Sequence, residues 1–264
     1  MEDVLIPFLV RAGITAAIVV AATVAAERAG PFWGGLFAAF PVSAGPAFVM
    51  LAMKHDDAFV ADAAVMAAAG VAAVAPFLIV ACHLAVQRSV LVTLLAGLAA
   101  WFMLAVPMMF IDWQIWSAAL ICLVVFPIAF WLTRPITQLD YAPKPLEPRW
   151  YDVPLRALAV GVFVAVVVGL SNVLGAAGSG LGAVFPITFS SVTVILHLRL
   201  GGPAAAKTLA SGLRTVSGMA PVLLIMAVAI DAFGAAVGLS LALACSTLYA
   251  ASLIVIEMRK PKPV

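Results

Sequence analysis

The stretch Gly34-Gly35-Leu36-Phe37-Ala38-Ala39-Phe40-Pro41 returns in a second version at Gly180-Leu181-Gly182-Ala183-Val184-Phe185-Pro186. Pro186 follows Pro41 by 145 residues, and the same offset pairs Phe40 with Phe185, Gly35 with Gly180 and Leu36 with Leu181. Working outward, it also pairs Gly30 with Gly175, Arg11 with Arg156, Lys54 with Arg199 and Pro76 with Pro221. Apolar helices resemble one another by composition alone. A gapless register shared by Arg, Gly-Leu, Phe-Pro and Pro argues instead for an internal duplication.

The surroundings of these stretches set the class. Hydrophobic residues make up 66% of the 264-residue chain, against roughly 45–50% in soluble proteins. Charged residues make up 10%, where about 25% is usual. A water-facing surface cannot be built from that ratio, and disorder is excluded by the amount of apolar surface. The formal charge of +2 is small and dispersed, so nucleic-acid binding is not expected. Cys82, Cys122 and Cys245 lie in apolar runs and read as buried, unpaired thiols. The opening Met1-Glu2-Asp3 lacks the basic region of a signal peptide. The apolar run that follows therefore reads as a retained first span.

A span needs about 20 mainly apolar residues. That length places spans at 5–27, 31–53, 59–82, 89–110, 115–133, 153–173, 178–198, 203–229 and 233–256. The stretch from Arg134 to Asp152 holds Pro135, Pro143, Pro145 and Pro148 and reads as a loop between halves. Nine spans put eleven Lys and Arg residues on one side and only Arg11 and Lys54 on the other. The positive-inside rule then makes the C-terminus cytoplasmic and the N-terminus external, in the plasma (inner) membrane. Trp113 and Trp116 flank the turn at Asp112, as aromatic residues do at an interface. The expected fold is all-α, a polytopic membrane protein of about nine helices. Residues 1–110 form one four-helix repeat and 151–264 a second, inverted one, joined by a crossing helix and loop at 111–150. Inverted repeats of this 4+1+4 kind bring equivalent segments together near the bilayer midplane.

The Gly34–Pro41 segment with its downstream Pro76, and the Gly180–Pro186 segment, resemble short GlpM-like membrane proteins over about 50 residues in each half. The resemblance implies a fused pair of such units and brings no defined chemistry. A more distant similarity is to sulfite-exporter-type permeases, whose longer glycine run this chain lacks.

Pro41 and Pro186 fall near the middle of their spans. A mid-helix proline deletes a backbone bond and clashes with the preceding turn. In hydrocarbon such irregular backbone survives only inside protein or beside a cavity. Ser43, and then Thr188, Ser190, Ser191 and Thr193, follow directly. If the helices break there, each following half-helix offers free N–H groups and a positive dipole end to an anionic or polar solute. The plainer reading is a kinked helix whose hydroxyls bond back to its own carbonyls.

Lys207, Ser211, Arg214 and Gly218 share one helix face, flanked by Thr208 and Thr215. Arg214 lies about 11 residues into its span, or ~16 Å, near the midplane. A guanidinium there costs at least ~2.5 kcal/mol on insertion scales, so Arg214 is expected to face inward as the solute's counter-charge. Its alternative is a structural pair with backbone carbonyls or Asp62. Lys207 reads first as a snorkelling interfacial lysine. Asp62 reads first as an acid favoured near a helix N-terminus, and more sharply as a coupling proton site or outer gate. Arg11 and Arg156 read as snorkelling residues or as cations at the two mouths. His55, His83 and His197 are dispersed, so no metal site is expected.

No nucleophile–base pair, metal spacing or phosphate loop is present, and no enzyme or cofactor is expected. The reading is a secondary transporter for a small anionic or polar solute. Its substrate-binding set is Pro41, Ser43, Pro186, Thr188, Ser190, Ser191, Ser211, Arg214 and Thr215, gated or coupled through Asp62, Lys207, Arg11 and Arg156. Coupling to H+ or Na+ and assembly as a homodimer stay open. A passive channel, or a non-transporting assembly or lipid-handling factor, are the alternatives.

Overall fold

The computed structural model describes residues 44–139 and 152–258, the side chains of 152–157, 254, 257 and 258 excepted. The first span, most of the second with Pro41 and Ser43, Arg11, the side chain of Arg156 and most of the interhalf loop lie outside the described residues. All regular structure among the described residues is helical. The helices are α1 (Ala44–Ala52), α2 (Asp57–Ala85), α3 (Val90–Met108), α4 (Ile115–Thr137), α5 (Asp152–Gly169), α6 (Ser171–Ala183), α7 (Ile187–Leu200), α8 (Gly202–Phe233) and α9 (Ala235–Met258). Five of them, α2, α3, α4, α8 and α9, are long and apolar enough to cross a membrane. The bent pair α6–α7 makes a sixth candidate.

The chain is built around α2. Its run of alanines, with Gly70, lets neighbours approach the backbone closely, and 19 of its 29 residues are buried. Small residues are what allow helices to pack where lipid supplies no hydrophobic drive. Its most extensive partner is α8, with α3, α4 and α6 around the rest of its surface. Gly202 at the start of α8 follows Asp57 at the start of α2 by 145 residues, and Ala235 of α9 follows Val90 of α3 by the same interval. Pro76 and Pro221 occupy equivalent places inside α2 and α8, and neither interrupts its helix.

Contacts between helices sort into two ends. At one end Lys54 reaches the last turn of α5, and the Asp57 carboxylate accepts the Ala235 N–H at 3.1 Å. At the other, the His197 ring lies 3.0 Å from the Arg88 carbonyl oxygen, and the Lys207 ammonium donates to the Leu139 carbonyl at 3.1 Å. α2, α3, α4, α8 and α9 each run from one end towards the other, and the α6–α7 pair shares one crossing. The first end holds Asp56, Asp57, Asp112 and Asp231; the second holds Arg88, Arg134, Arg199 and Lys207.

Two boundaries differ from the sequence reading. The sixth span ends at Gly169, not residue 173, and Ser171 already starts the next helix. α4 runs through Arg134 and Pro135 to Thr137. A proline in a last turn removes only one bond, and Arg134 there suits the negative end of the helix dipole.

Candidate functional site

The seventh span is broken in its middle. α6 ends at Ala183 and α7 starts at Ile187, bent from it by 42°. The two pieces are 13 and 14 residues long, so the break lies near the middle of the bent pair. Pro186 is one cause. The other is the preceding segment, which carries Gly175, Gly178, Gly180 and Gly182. Each glycine costs a helix about 1 kcal/mol relative to alanine, whereas Pro76 follows the alanine-rich part of α2 and is carried through.

The glycines serve packing. A Cβ at Gly180 would stand 2.1 Å from the Ala63 carbonyl oxygen, and Leu181 fills the space over Gly70. α6 thus rests on α2 backbone to backbone. Gly175 has φ +65° and ψ −174°, a conformation only glycine takes readily, and it bends α6 once more.

Phe185, in the break, anchors an aromatic group. Its ring meets Trp101 of α3 edge-on at 5.0 Å and Phe163 of α5 at 5.0 Å, with Phe102 at 6.2 Å. The Trp101 indole N–H, next to this break, is buried without a hydrogen-bond partner among the described residues, as is the Ser179 hydroxyl on α6. A buried donor left unpaired costs about 1–3 kcal/mol, so such groups call for an explanation.

The start of α7 is uncapped by any side chain. Its first regular helical bond runs from Ser190 N–H to the Pro186 carbonyl at 2.9 Å, which leaves the Thr188 and Phe189 N–H groups outside the ladder. The hydroxyls split between the two expected roles. Ser190, Ser191 and Thr193 donate to the carbonyls four residues back, at 2.8, 2.9 and 2.7 Å, and are occupied there. Thr188 cannot, because the carbonyl four residues back is Val184, across the break. The residue is largely buried, and its hydroxyl makes no hydrogen bond among the described residues.

The structure does not bring Arg214 to this place. Gly212 of α8 is pressed against the Phe189 ring, so Arg214 sits at the depth of the break. At 100° per residue it lies about 200° round the axis from Gly212. Its side chain is exposed, and so is Ser211, whose hydroxyl donates to the Thr208 carbonyl at 2.8 Å. Gly218, on the same face, is covered by the Tyr249 ring, whose hydroxyl bonds the Arg214 backbone carbonyl. Burial of α8 is decided by Ala205, Leu209, Gly212, Leu213 and Val216, and that apolar stripe turns Arg214 outward. Thr215 is half-buried and Asp62 exposed. Lys207 ties α8 to the end of α4, where a cation meets the negative end of a helix dipole.

One polar cluster was not anticipated. Lys54 donates to the Val168 carbonyl at 2.8 Å, the Gly169 carbonyl at 3.4 Å and the Ser171 hydroxyl at 3.0 Å. His55 Nε2 is 2.7 Å from the same hydroxyl, and the imidazole stacks on Phe59 at 3.8 Å. Burial, then Lys54, lower the His55 pKa from its ordinary value. Its only hint at the level of sequence is the 145-residue pairing of Lys54 with Arg199. Among the described residues no group of three or more His, Cys, Asp or Glu could hold a metal.

No protein family, curated protein or solved structure matches the chain.

Proposed function

We propose that the chain is a secondary permease for a small anionic or polar solute, held at the α6–α7 break. The carrying observation is the mid-span interruption at Val184–Pro186, with the uncapped α7 N-terminus behind it. Unpaired N–H groups and the positive end of a helix dipole attract anions and hydrogen-bond acceptors. Thr188 and the Trp101 indole N–H add a hydroxyl and a further donor nearby. Discontinuous helices of this kind hold solutes in many transporters.

The equal spacing of α2 with α8 and of α3 with α9 supports a nine-span, 4+1+4 inverted repeat. The sorting of cations to the Arg88 end supports a cytoplasmic C-terminus and an external N-terminus, in the plasma membrane. Solute selection belongs to α7 rather than to Arg214, which faces away from the break.

The test is purified protein in proteoliposomes, offered chloride, sulfate, phosphate and small carboxylates under imposed H+ and Na+ gradients. Saturable uptake of at least one anion, reduced about tenfold or more by Thr188→Val, is expected. Flux that ignores every gradient would reassign the protein as a channel. Absence of binding and of flux for all of these would remove the reading.

A further inference from the structure

We infer that Lys54, His55 and Ser171 form a releasable latch between the two halves, closing the route to the α6–α7 break from the Lys54 end. The inference deepens the reading of that break as a solute site.

Lys54 and His55 sit in the turn between α1 and α2, in the first half. Val168, Gly169 and Ser171 belong to the α5–α6 junction, in the second. The junction is a helix end, where the last carbonyls have no partner in their own helix. The Lys54 ammonium supplies one to Val168 and Gly169, 2.8 and 3.4 Å away. Ser171 has one proton and gives it to the Val168 carbonyl at 2.7 Å. Its two lone pairs then accept from Lys54 at 3.0 Å and from His55 at 2.7 Å. His55 therefore carries its proton on Nε2, and every position on the Ser171 hydroxyl is filled.

What the latch holds is a lever. α6 is 13 residues long, with a joint at Leu170, a bend at Gly175 and the break at 184–186. Its glycines meet α2 backbone to backbone, so a segment with a joint at each end can shift along that small-residue face without unfolding either neighbour. It lies between the Lys54 end and the uncapped start of α7, so its position decides whether that end reaches the site. Lys54 is half-buried and Gly169 exposed, so water can replace the ammonium when the latch opens. The other end is held separately, by His197 on the Arg88 carbonyl and Lys207 on the Leu139 carbonyl. Alternation then amounts to releasing one end while the other stays tied.

The experiment needs no solute. In a background with Cys82, Cys122 and Cys245 replaced by alanine, Thr188→Cys reports access to the break through its labelling rate with a membrane-impermeant maleimide. Applied from the Lys54 side, the reagent should label Lys54→Met at least about fivefold faster than the parent. Lys54→Arg, which can still donate to the carbonyls, should stay near the parental rate. Ser171→Ala should be faster. Labelling from the opposite side should not rise in any of them. Equal rates for Lys54→Met and its parent would overturn the latch. So would a rise from both sides together, which marks general loosening. If labelling behaves as expected while no anion binds, the latch stands and the solute reading fails; the reverse pattern separates them the other way.

Discussion

Arg214 shows how far one residue can be read alone. The cost of a guanidinium near mid-bilayer argues for an inward side chain with a partner, yet α8 presents it on its exposed face. No described residue bonds its side chain, so Arg214→Leu should leave thermal unfolding unchanged or raise the Tm. A fall worth more than about 1 kcal/mol would show a partner for the guanidinium. Gly180 is the opposite case. A Cβ there would stand 2.1 Å from the Ala63 carbonyl oxygen, and backbone cannot step aside as a side chain can. Gly180→Ala should cost about 1–3 kcal/mol in thermal or denaturant unfolding. Gly45→Ala, with open space at its Cβ, should be neutral or slightly stabilising.

At the scale of helices, four prolines near mid-span have different outcomes. Pro76, Pro127 and Pro221 are carried inside α2, α4 and α8, whereas Pro186 lies in a gap. The difference is the neighbours: a turn with at most one glycine holds a helix through one missing bond, and the four glycines before Pro186 do not. Restoring an N–H at this position lets α7 extend backward, so Pro186→Leu should weaken anion binding about tenfold, measured by calorimetry on purified protein. A variant that binds as tightly as the parent would separate the break from the site. The break itself was legible in the sequence, because proline and glycine act through local backbone geometry. The fate of the hydroxyls beside it was not. Ser190 and Ser191 find carbonyls one turn back, and Thr188 is left over only because the helix starts where it does.

For the molecule as a whole, the latch gives a pH dependence. His55 has a pKa below its usual value in the latched state, so its latched form prefers to be neutral. The charged groups that act on it are Lys54 and Asp56 on its own turn, while the neighbouring Asp57 is engaged with the Ala235 N–H. From α6 it meets the Ser171 hydroxyl. A depressed histidine pKa means that the latch is complete above the ordinary value of 6.5 and weakens as pH falls below it. Labelling of Thr188→Cys from the Lys54 side should therefore quicken on acidification. His55→Phe, which keeps the stack on Phe59 but cannot titrate, should flatten that response. The alternation of helices makes a second prediction at this scale. Cysteines at Gln87 and Gln138 should react with an impermeant reagent from one face of the membrane, and those at Met53 and Asp112 from the other. Any mixed pattern would break the proposed topology.

By itself the sequence determined the membrane class, the 145-residue register and the place where a span gives way. Each follows from quantities carried by single residues or short runs: transfer cost, charge placement and backbone freedom. Only the tertiary structure decided which face of each helix turns inward, and with it the fates of Arg214, Thr188 and Lys54. Facing depends on how the small-residue stripes of separate helices fit together. Lys54 and Ser171 are 117 residues apart, and no spacing within one helix can announce that they meet.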